Sequence, residues 1–311
     1  MNSPCVQGYV MPSVTCRQVR FRGIKVSLLA WLLLAPSLVF LLAFTVFPIF
    51  RSLYLGFTEY ALGMREPVFI GIKNYLGFGK SPLFWKIMGN TLVFSLLTVI
   101  PSMVIGISLA LIVNTKMKGV SFFRTAYFYP VVMPMIAIAS IWMFIYMART
   151  GMLDQFLSKF GFHPLDVLSK RNTVLPAMSV MYVWKEAGYL MIFSLSGLQN
   201  ISVEMYEAAT IDGAHSWTVF RKITLPLLGP TLLFVSTIAI TNSIKLVDHI
   251  VIMTEGAPNN ASTMLLYYIY QQGFTFFDQA NASALTVIML AIMLFISMFQ
   301  FVKSDRKIYY N

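Results

Sequence analysis

The apolar runs of this chain are too long and too many to be buried in one globular core. A helix crosses a bilayer with about 20 mostly apolar residues. Six stretches reach that length: residues 26–50, 85–113, 122–147, 174–198, 225–253 and 281–302. Only 11% of the 311 residues are charged and 58% are hydrophobic, against about a quarter charged in an ordinary soluble domain. The 15% aromatic content argues equally against disorder. The sequence therefore predicts an all-α integral membrane protein with six transmembrane helices. Pro36, Pro101, Pro130, Pro134 and Pro230 lie in or near the runs, where membrane helices tolerate them.

The first run, 26–50, follows a polar stretch holding Arg17, Arg20, Arg22 and Lys25. It is longer than a signal-peptide core and no small-residue cleavage site follows, so it reads as a retained helix. Lysine and arginine in the loops set orientation. With residues 1–25 as a cytoplasmic tail, the inner segments hold twelve: Arg17, Arg20, Arg22, Lys25, Lys116, Lys118, Arg124, Arg221, Lys222, Lys303, Arg306 and Lys307. The longer outer loops hold nine, Arg51, Lys73 and Lys86 among them, with none between Met253 and Asn281. Both termini are expected in the cytoplasm, with 303–311 as the second tail. The net charge of +11 then reflects loop topology and lipid headgroups rather than nucleic acid. Trp31, Trp85 and Trp142 fit interface anchoring, and Cys5 and Cys16 read as incidental thiols.

Residues 200–224 are expected on the cytoplasmic side, yet they look structured. Ser202 can cap a helix, with Glu204 in its first turn complementing the dipole. That helix would run to about Asp212, where Gly213 supplies a left-handed end. Ser216 can cap a second helix, with Arg221 and Lys222 in its last turn and Pro226 at its boundary. Such a helix-turn-helix is either a docking surface or an amphipathic connector lying on the membrane.

Catalytic signatures are missing. Gly79-Lys80-Ser81 resembles the end of a P-loop, but Asn74 stands where the earlier glycine is required. Leu195-Ser196-Gly197-Leu198-Gln199 has no Walker motifs around it, and His163, His215 and His249 show no metal spacing. No nucleophile elbow occurs. An enzyme is not expected, and no metal or cofactor.

Charge inside the spans is more informative. Lys185 and Glu186 fall midway along the fourth run, and Lys245 and Asp248 in the second half of the fifth. A central Lys or Asp costs about 2.5–3.5 kcal/mol on insertion scales, so such residues usually face a bundle interior or a watery path. One reading is internal ion pairing, Glu186 with Lys245 or Lys185 with Asp248. The other is a polar lining for a solute path, shared with Asn242, Ser243, Tyr182, Trp184 and Tyr189.

At the cytoplasmic segment a family resemblance emerges. Glu207-Ala208-Ala209-Thr210-Ile211-Asp212-Gly213-Ala214, followed by Phe220, Ile223, Leu225, Pro226 and Pro230, resembles the EAA loop of binding-protein-dependent ABC importer permeases. Gly71-Ile72-Lys73-Asn74-Tyr75, Asn90-Thr91, Phe123-Arg124, Tyr129-Pro130, Trp184 and Leu198-Gln199 extend the resemblance over nearly the whole chain. Asp248, then Thr254-Glu255-Gly256-Ala257-Pro258, Thr263, Tyr270 and Phe274, is similar to the MalF/UgpA-type half of carbohydrate importers. Val247 and Ala257 depart from that pattern, standing where a phenylalanine and a second glycine are usual.

The resemblance implies a permease core at 85–302 in a bacterial cytoplasmic (inner) membrane. It implies a sister permease, two ATPase subunits carrying the ATP and Mg, and an extracytoplasmic solute-binding protein. Glu207, Ala208, Ala209, Asp212, Gly213 and Ala214 would seat on the ATPase. The solute would be an oligosaccharide or a glycerol-phosphate-type molecule. The competing reading is an ion-coupled secondary transporter or channel using the four intramembrane charges, which has no need of an ATPase-docking loop.

Overall fold

The structure is a computed structural model describing residues 23–115, 118–161 and 166–305. Cys5, Cys16, Arg17, Arg20, Arg22, Lys116, His163, Arg306 and Lys307, and with them most of both expected tails, lie outside those residues. The chain forms two units, Met1–Arg51 and Ser52–Asn311. In the first, α1 (Gly23–Leu41) continues through one π turn (Leu42–Val46) into α2 (Phe47–Leu55), whose final residues belong to the second unit.

The second unit opens with a small antiparallel ribbon, β1 (Thr58–Glu59) with β2 (Val68–Phe69), and then α3 (Lys73–Lys80). Gly71, at φ +65°, makes the turn into α3. Asn74 then ties α3 to the ribbon, its side-chain amide donating to the carbonyls of Gly56 (3.1 Å) and Thr58 (2.8 Å). Burial raises the Tyr75 phenol above the ordinary tyrosine pKa. The long helix α4 (Pro82–Val113) starts at Ser81, whose hydroxyl accepts the Phe84 N–H at 3.3 Å, with Pro82 in the first position.

Residues 122–147, expected as one span, are two helices: α5 (Val120–Val132) and α6 (Met135–Tyr146), bent by 98°. Pro134 is the cause. Its ring excludes the helical conformation at Met133, which is extended (φ −72°, ψ 138°). Next come the short α7 (Met152–Ser158) and the 26-residue α8 (Val174–Gln199). The segment after it folds as α9 (Val203–Ile211) and α10 (Ser216–Val219), turning at Gly213 with φ +67°. Ser202 caps α9 as expected, accepting the Glu204 N–H. The cap of α10 is His215 and not Ser216, because the imidazole Nδ1 accepts the Trp217 N–H at 3.3 Å.

Pro226 does not end that helix. The chain runs from α10 through a π turn (Phe220–Thr224) and α11 (Leu225–Leu227) into α12 (Gly229–Ile244). The fifth run, however, is not one unbroken helix. It stops at Lys245 and resumes as α13 (Asp248–Met253), followed by α14 (Leu265–Tyr270), a π turn (Gln271–Thr275) and α15 (Gln279–Asp305). Val247 at the break has left the helical region (φ −129°), so Lys245 caps the end of α12 and Asp248 opens α13 instead of both lying within one helix.

Most residues of α8 are buried, because three helices close around it. Each approach is made at a glycine, as is usual where membrane helices touch. A Cβ on Gly106 of α4 would lie 3.0 Å from Leu190 Cβ. A Cβ on Gly188 would lie 2.0 Å from the Tyr127 carbonyl oxygen of α5, and one on Gly197 would lie 2.4 Å from Thr231 Oγ1 of α12. The main core joins Phe94, Ile138, Met178, Met181, Ile250 and Met264, and the Tyr146 hydroxyl donates to the Ala177 carbonyl at 2.8 Å.

Among the described residues four helical stretches are long and apolar enough to cross a membrane: Ala30–Leu55, Pro82–Val113, Gly229–Met253 (α12 with α13) and Gln279–Val302. The bent pair α5–α6 makes a fifth if it counts as one span. The sixth expected span, 174–198, is one helix of sufficient length, but with Lys185 and Glu186 at its centre it is less apolar than the others.

Candidate functional site

The intramembrane charges do not form the ion pairs that the sequence allows. Lys185 points from α8 to the broken end of α5, where its ammonium donates to the carbonyls of Pro130 (3.2 Å), Val131 (3.2 Å) and Met133 (2.6 Å). Those carbonyls lack intrahelical partners because the helix stops there, and a cation suits the negative end of the α5 dipole. All three donors of the ammonium are used.

Glu186, the next residue, is turned toward another helix. Its Oε1 accepts from the Asn242 side-chain amide of α12 at 3.1 Å, and Tyr182 sets its hydroxyl beside the same carboxylate. Tyr182 and Glu186 are one turn apart, so they share a face of α8. Of the nine path candidates, the structure brings together only Tyr182, Glu186 and Asn242. Ser243 is buried and bonds Ser95 Oγ (3.0 Å) of α4, a second polar tie between helices. Trp184 is 47% exposed with its ring 5.9 Å from Trp142, and half-buried Tyr189 packs edge-on against Phe193. Lys245 and Asp248 are exposed at the helix break, with no side-chain partner among the described residues.

A second polar assembly lies nearer the N-terminus of α4. The Asn90 amide donates to the carbonyls of Asn260 and Thr263, both at 2.9 Å, and Thr91 Oγ1 accepts the Leu265 N–H at 2.9 Å. The Lys86 ammonium bonds the Asn259 carbonyl. These residues hold residues 254–264 in a contorted path with Glu255, Gly256, Asn259 and Asn260 all at positive φ. Gly256 is required there, since a Cβ would meet Thr263 Oγ1 at 2.5 Å. The two sequence patterns noted separately at Asn90-Thr91 and at 254–258 thus belong to a single clamp.

In the segment around α9 and α10 the motif residues divide by exposure. Glu207, Ala208, Asp212 and Gly213 are exposed, whereas Ala209 is buried and half-buried Ala214 returns its N–H to the Ala209 carbonyl at 2.9 Å. The apolar side chains of Val203 (68%), Ile211 (86%) and Trp217 (64%) are also exposed. The Tyr206 hydroxyl bonds Thr224 Oγ1 at 3.2 Å, and a groove of about 700 Å³ runs between Ser108 and Leu111 of α4 and Tyr206, Trp217 and Phe220.

Residues 77–308 match the family described as binding-protein-dependent transport system inner membrane component. The chain belongs to that family. A probable starch degradation products transport system permease, AmyD of Thermoanaerobacterium thermosulfurigenes, is 32% identical over 270 residues, covering 87% of this chain and 91% of its own. The trehalose/maltose transport system permease MalF of Thermococcus litoralis is 30% identical over 280 residues, 89% of this chain and 92% of its own. The sulfoquinovosyl glycerol transport system permease SmoG of Agrobacterium fabrum is 31% identical over 277 residues, 89% and 90%. A chain of the bacterial alginate ABC transporter, solved with an alginate pentasaccharide-bound periplasmic protein, has the same fold. Its TM-score is 0.82 at 24% identity, covering 92% of this chain and 97% of that one.

As an inner membrane component with several apolar spans, the protein is a multi-pass membrane protein. Two features of this family member escaped the sequence reading. One is the division of labour between Lys185 and Glu186. The other is His249, wholly buried and stacked on Phe94 at 5.3 Å, whose ring nitrogens have no hydrogen-bond partner among the described residues. Its only signal in the sequence was a histidine without metal spacing.

Proposed function

We propose that this chain is one half of the membrane pathway of an ATP-driven importer for a sugar or oligosaccharide. The observation that carries this reading is the family membership together with near full-length similarity to permeases named for starch products and trehalose/maltose. In this reading α8 is the remaining span, its charges shielded by α5 and α12, and both termini face the cytoplasm. The partners are a sister permease, two ATPase subunits that carry the ATP and Mg, and an extracytoplasmic solute-binding protein.

The α9–α10 segment docks the ATPase through Glu207, Ala208, Asp212 and Gly213, with Ala209 and Ala214 fixing the turn from within. The exposed apolar side chains around it support a protein partner. Tyr182, Glu186, Asn242, Ser243 and Lys185 brace the helices around the path. Trp184, Tyr189, Lys245 and Asp248 supply the surface open to a solute. A glycerol-phosphate substrate is less well supported, because the Lys185 ammonium is spent on backbone carbonyls.

The test is reconstitution of the complex with its binding protein in proteoliposomes, scoring labelled maltodextrins, monosaccharides and glycerophosphates. ATP-dependent uptake of a sugar is expected. Uptake of glycerophosphate alone would move the substrate class, and accumulation driven by an ion gradient without ATP would overturn the reading.

A further inference from the structure

We propose that α7 is an interfacial helix, and that its outward apolar face rests in the headgroup region of an anionic lipid bilayer. The inner side of α7 is already committed. Leu153 packs on the main core, and buried Asp154 accepts the Arg149 N–H at 2.6 Å. Gly151 seats the start of the helix so closely that a Cβ would meet the Ile145 and Met147 carbonyl oxygens at 2.5 Å. The helix is therefore fixed to the end of α6 rather than swinging on a loop.

Its opposite side is also apolar. Met152 is 74% exposed, Phe156 59%, and Phe160, in the turn that follows, 67%. Spacing of four residues places Met152 and Phe156 on one face, and the Phe156 and Phe160 rings meet at 5.2 Å. A short helix with an apolar side turned inward and another turned outward is not finished by water.

Two observations name the occupant. The patch continues an apolar surface already on α6, where Phe144 and Met147 are exposed, so it extends the belt of a bilayer-facing element. The same connection carries exposed Arg149, Lys159, Lys170 and Arg171, while its two described acids are turned elsewhere: Asp154 is buried and Asp166 accepts the Ser169 N–H. Aromatic and sulfur side chains at the acyl boundary, rimmed by cations, is the chemistry of a helix lying on anionic lipid.

The test uses the full chain with the subunits that co-purify, Cys5 and Cys16 replaced by serine, and Phe156→Cys or Met152→Cys carrying a nitroxide. In nanodiscs of phosphatidylglycerol and phosphatidylcholine, collision with oxygen should exceed collision with a water-soluble nickel chelate severalfold at both positions. Gln155→Cys, on the flank, should show the reverse. The oxygen preference should fall when phosphatidylglycerol is omitted or when Lys159, Lys170 and Arg171 are changed to Gln. A label open to the nickel chelate, a label shielded from both reagents by a protein neighbour, or indifference to anionic lipid each overturns the proposal.

Discussion

The Lys185 ammonium lies 2.6 Å from the Met133 carbonyl oxygen, at the 98° bend between α5 and α6. One side chain from a neighbouring helix thus satisfies the end of a helix broken by Pro134. Lys185→Met keeps most of the length of the side chain and removes its donors. Orphaned buried carbonyls cost about 1–3 kcal/mol, so the variant should unfold at lower temperature in detergent than the parent. Lys185→Arg should retain part of the loss. An unchanged melting temperature in Lys185→Met would leave the bend supported by Pro134 alone.

Glu186 and Asn242 should behave as one unit. Each single change to alanine leaves a polar partner stranded in a low-dielectric interior. The double mutant should then be less destabilised than the sum, with a coupling of about 0.5–3 kcal/mol. Additive losses in thermal unfolding, accompanied by altered transport, would assign the pair to the solute path instead.

Gly188→Ala should be among the most damaging single changes. The added Cβ falls 2.0 Å from the Tyr127 backbone oxygen, which cannot rotate away. Overpacking typically costs about 1–3 kcal/mol, and separation of α5 from α8 should put this variant at or beyond the upper end. Gly197→Ala meets a side chain, Thr231, and should be partly rescued by Thr231→Ala. Comparison of folded yields by size-exclusion chromatography checks both.

Removing the Asn90 amide should loosen residues 254–264. In Asn90→Ala, amide hydrogen exchange is expected to rise at Ala261 through Leu265, while α8 and α15 stay protected. Asn90→Asp should be worse, since it points a carboxylate at two carbonyl oxygens. Exchange unchanged in both variants would show that Thr91 and Lys86 hold the loop without it.

Glu207→Lys or Gly213→Asp should reduce ATPase binding, or ATP-coupled uptake, while leaving membrane insertion and melting temperature near those of the parent. Both positions are exposed, so loss of fold is not the expected route. Gly213 also holds φ +67°, a conformation that Asn and Asp tolerate alike, so Gly213→Asn should lose as much activity as Gly213→Asp if crowding of the partner is the cause and keep more if the added charge is. Normal pull-down and uptake in all three would remove the docking role.

The positions of the apolar runs were legible because bilayer thickness imposes a length that few soluble helices share. The Ser202 cap and the Gly213 turn were legible for a similar reason, since each depends on one residue's own chemistry. The break at Met133 was not, although Pro134 was visible, because Pro101 and Pro36 occupy helices that continue. The freed carbonyls at such a break need a donor, and here that donor, the Lys185 ammonium, is 52 residues from Met133 in sequence. The path candidates failed to assemble as one group for a related reason. Adjacent residues on a helix project about 100° apart, so Lys185 and Glu186 serve different neighbours.

The π turn at Phe220–Thr224 has a mechanical side. It sits just ahead of Pro226, and the Leu228 N–H still reaches the Thr224 carbonyl at 2.9 Å, as the Leu232 N–H reaches that of Leu228 at 2.8 Å. Hydrogen bonding therefore resumes within two residues of the proline, which itself has no N–H to donate, and Ser216 to Ile244 forms one nearly continuous strut. Trp217 stands at its exposed foot and the Gly197–Thr231 contact lies partway up. If the foot docks a partner as proposed, a push on it would travel along the strut as compression and torsion and arrive inside the bundle as displacement rather than being absorbed at a hinge.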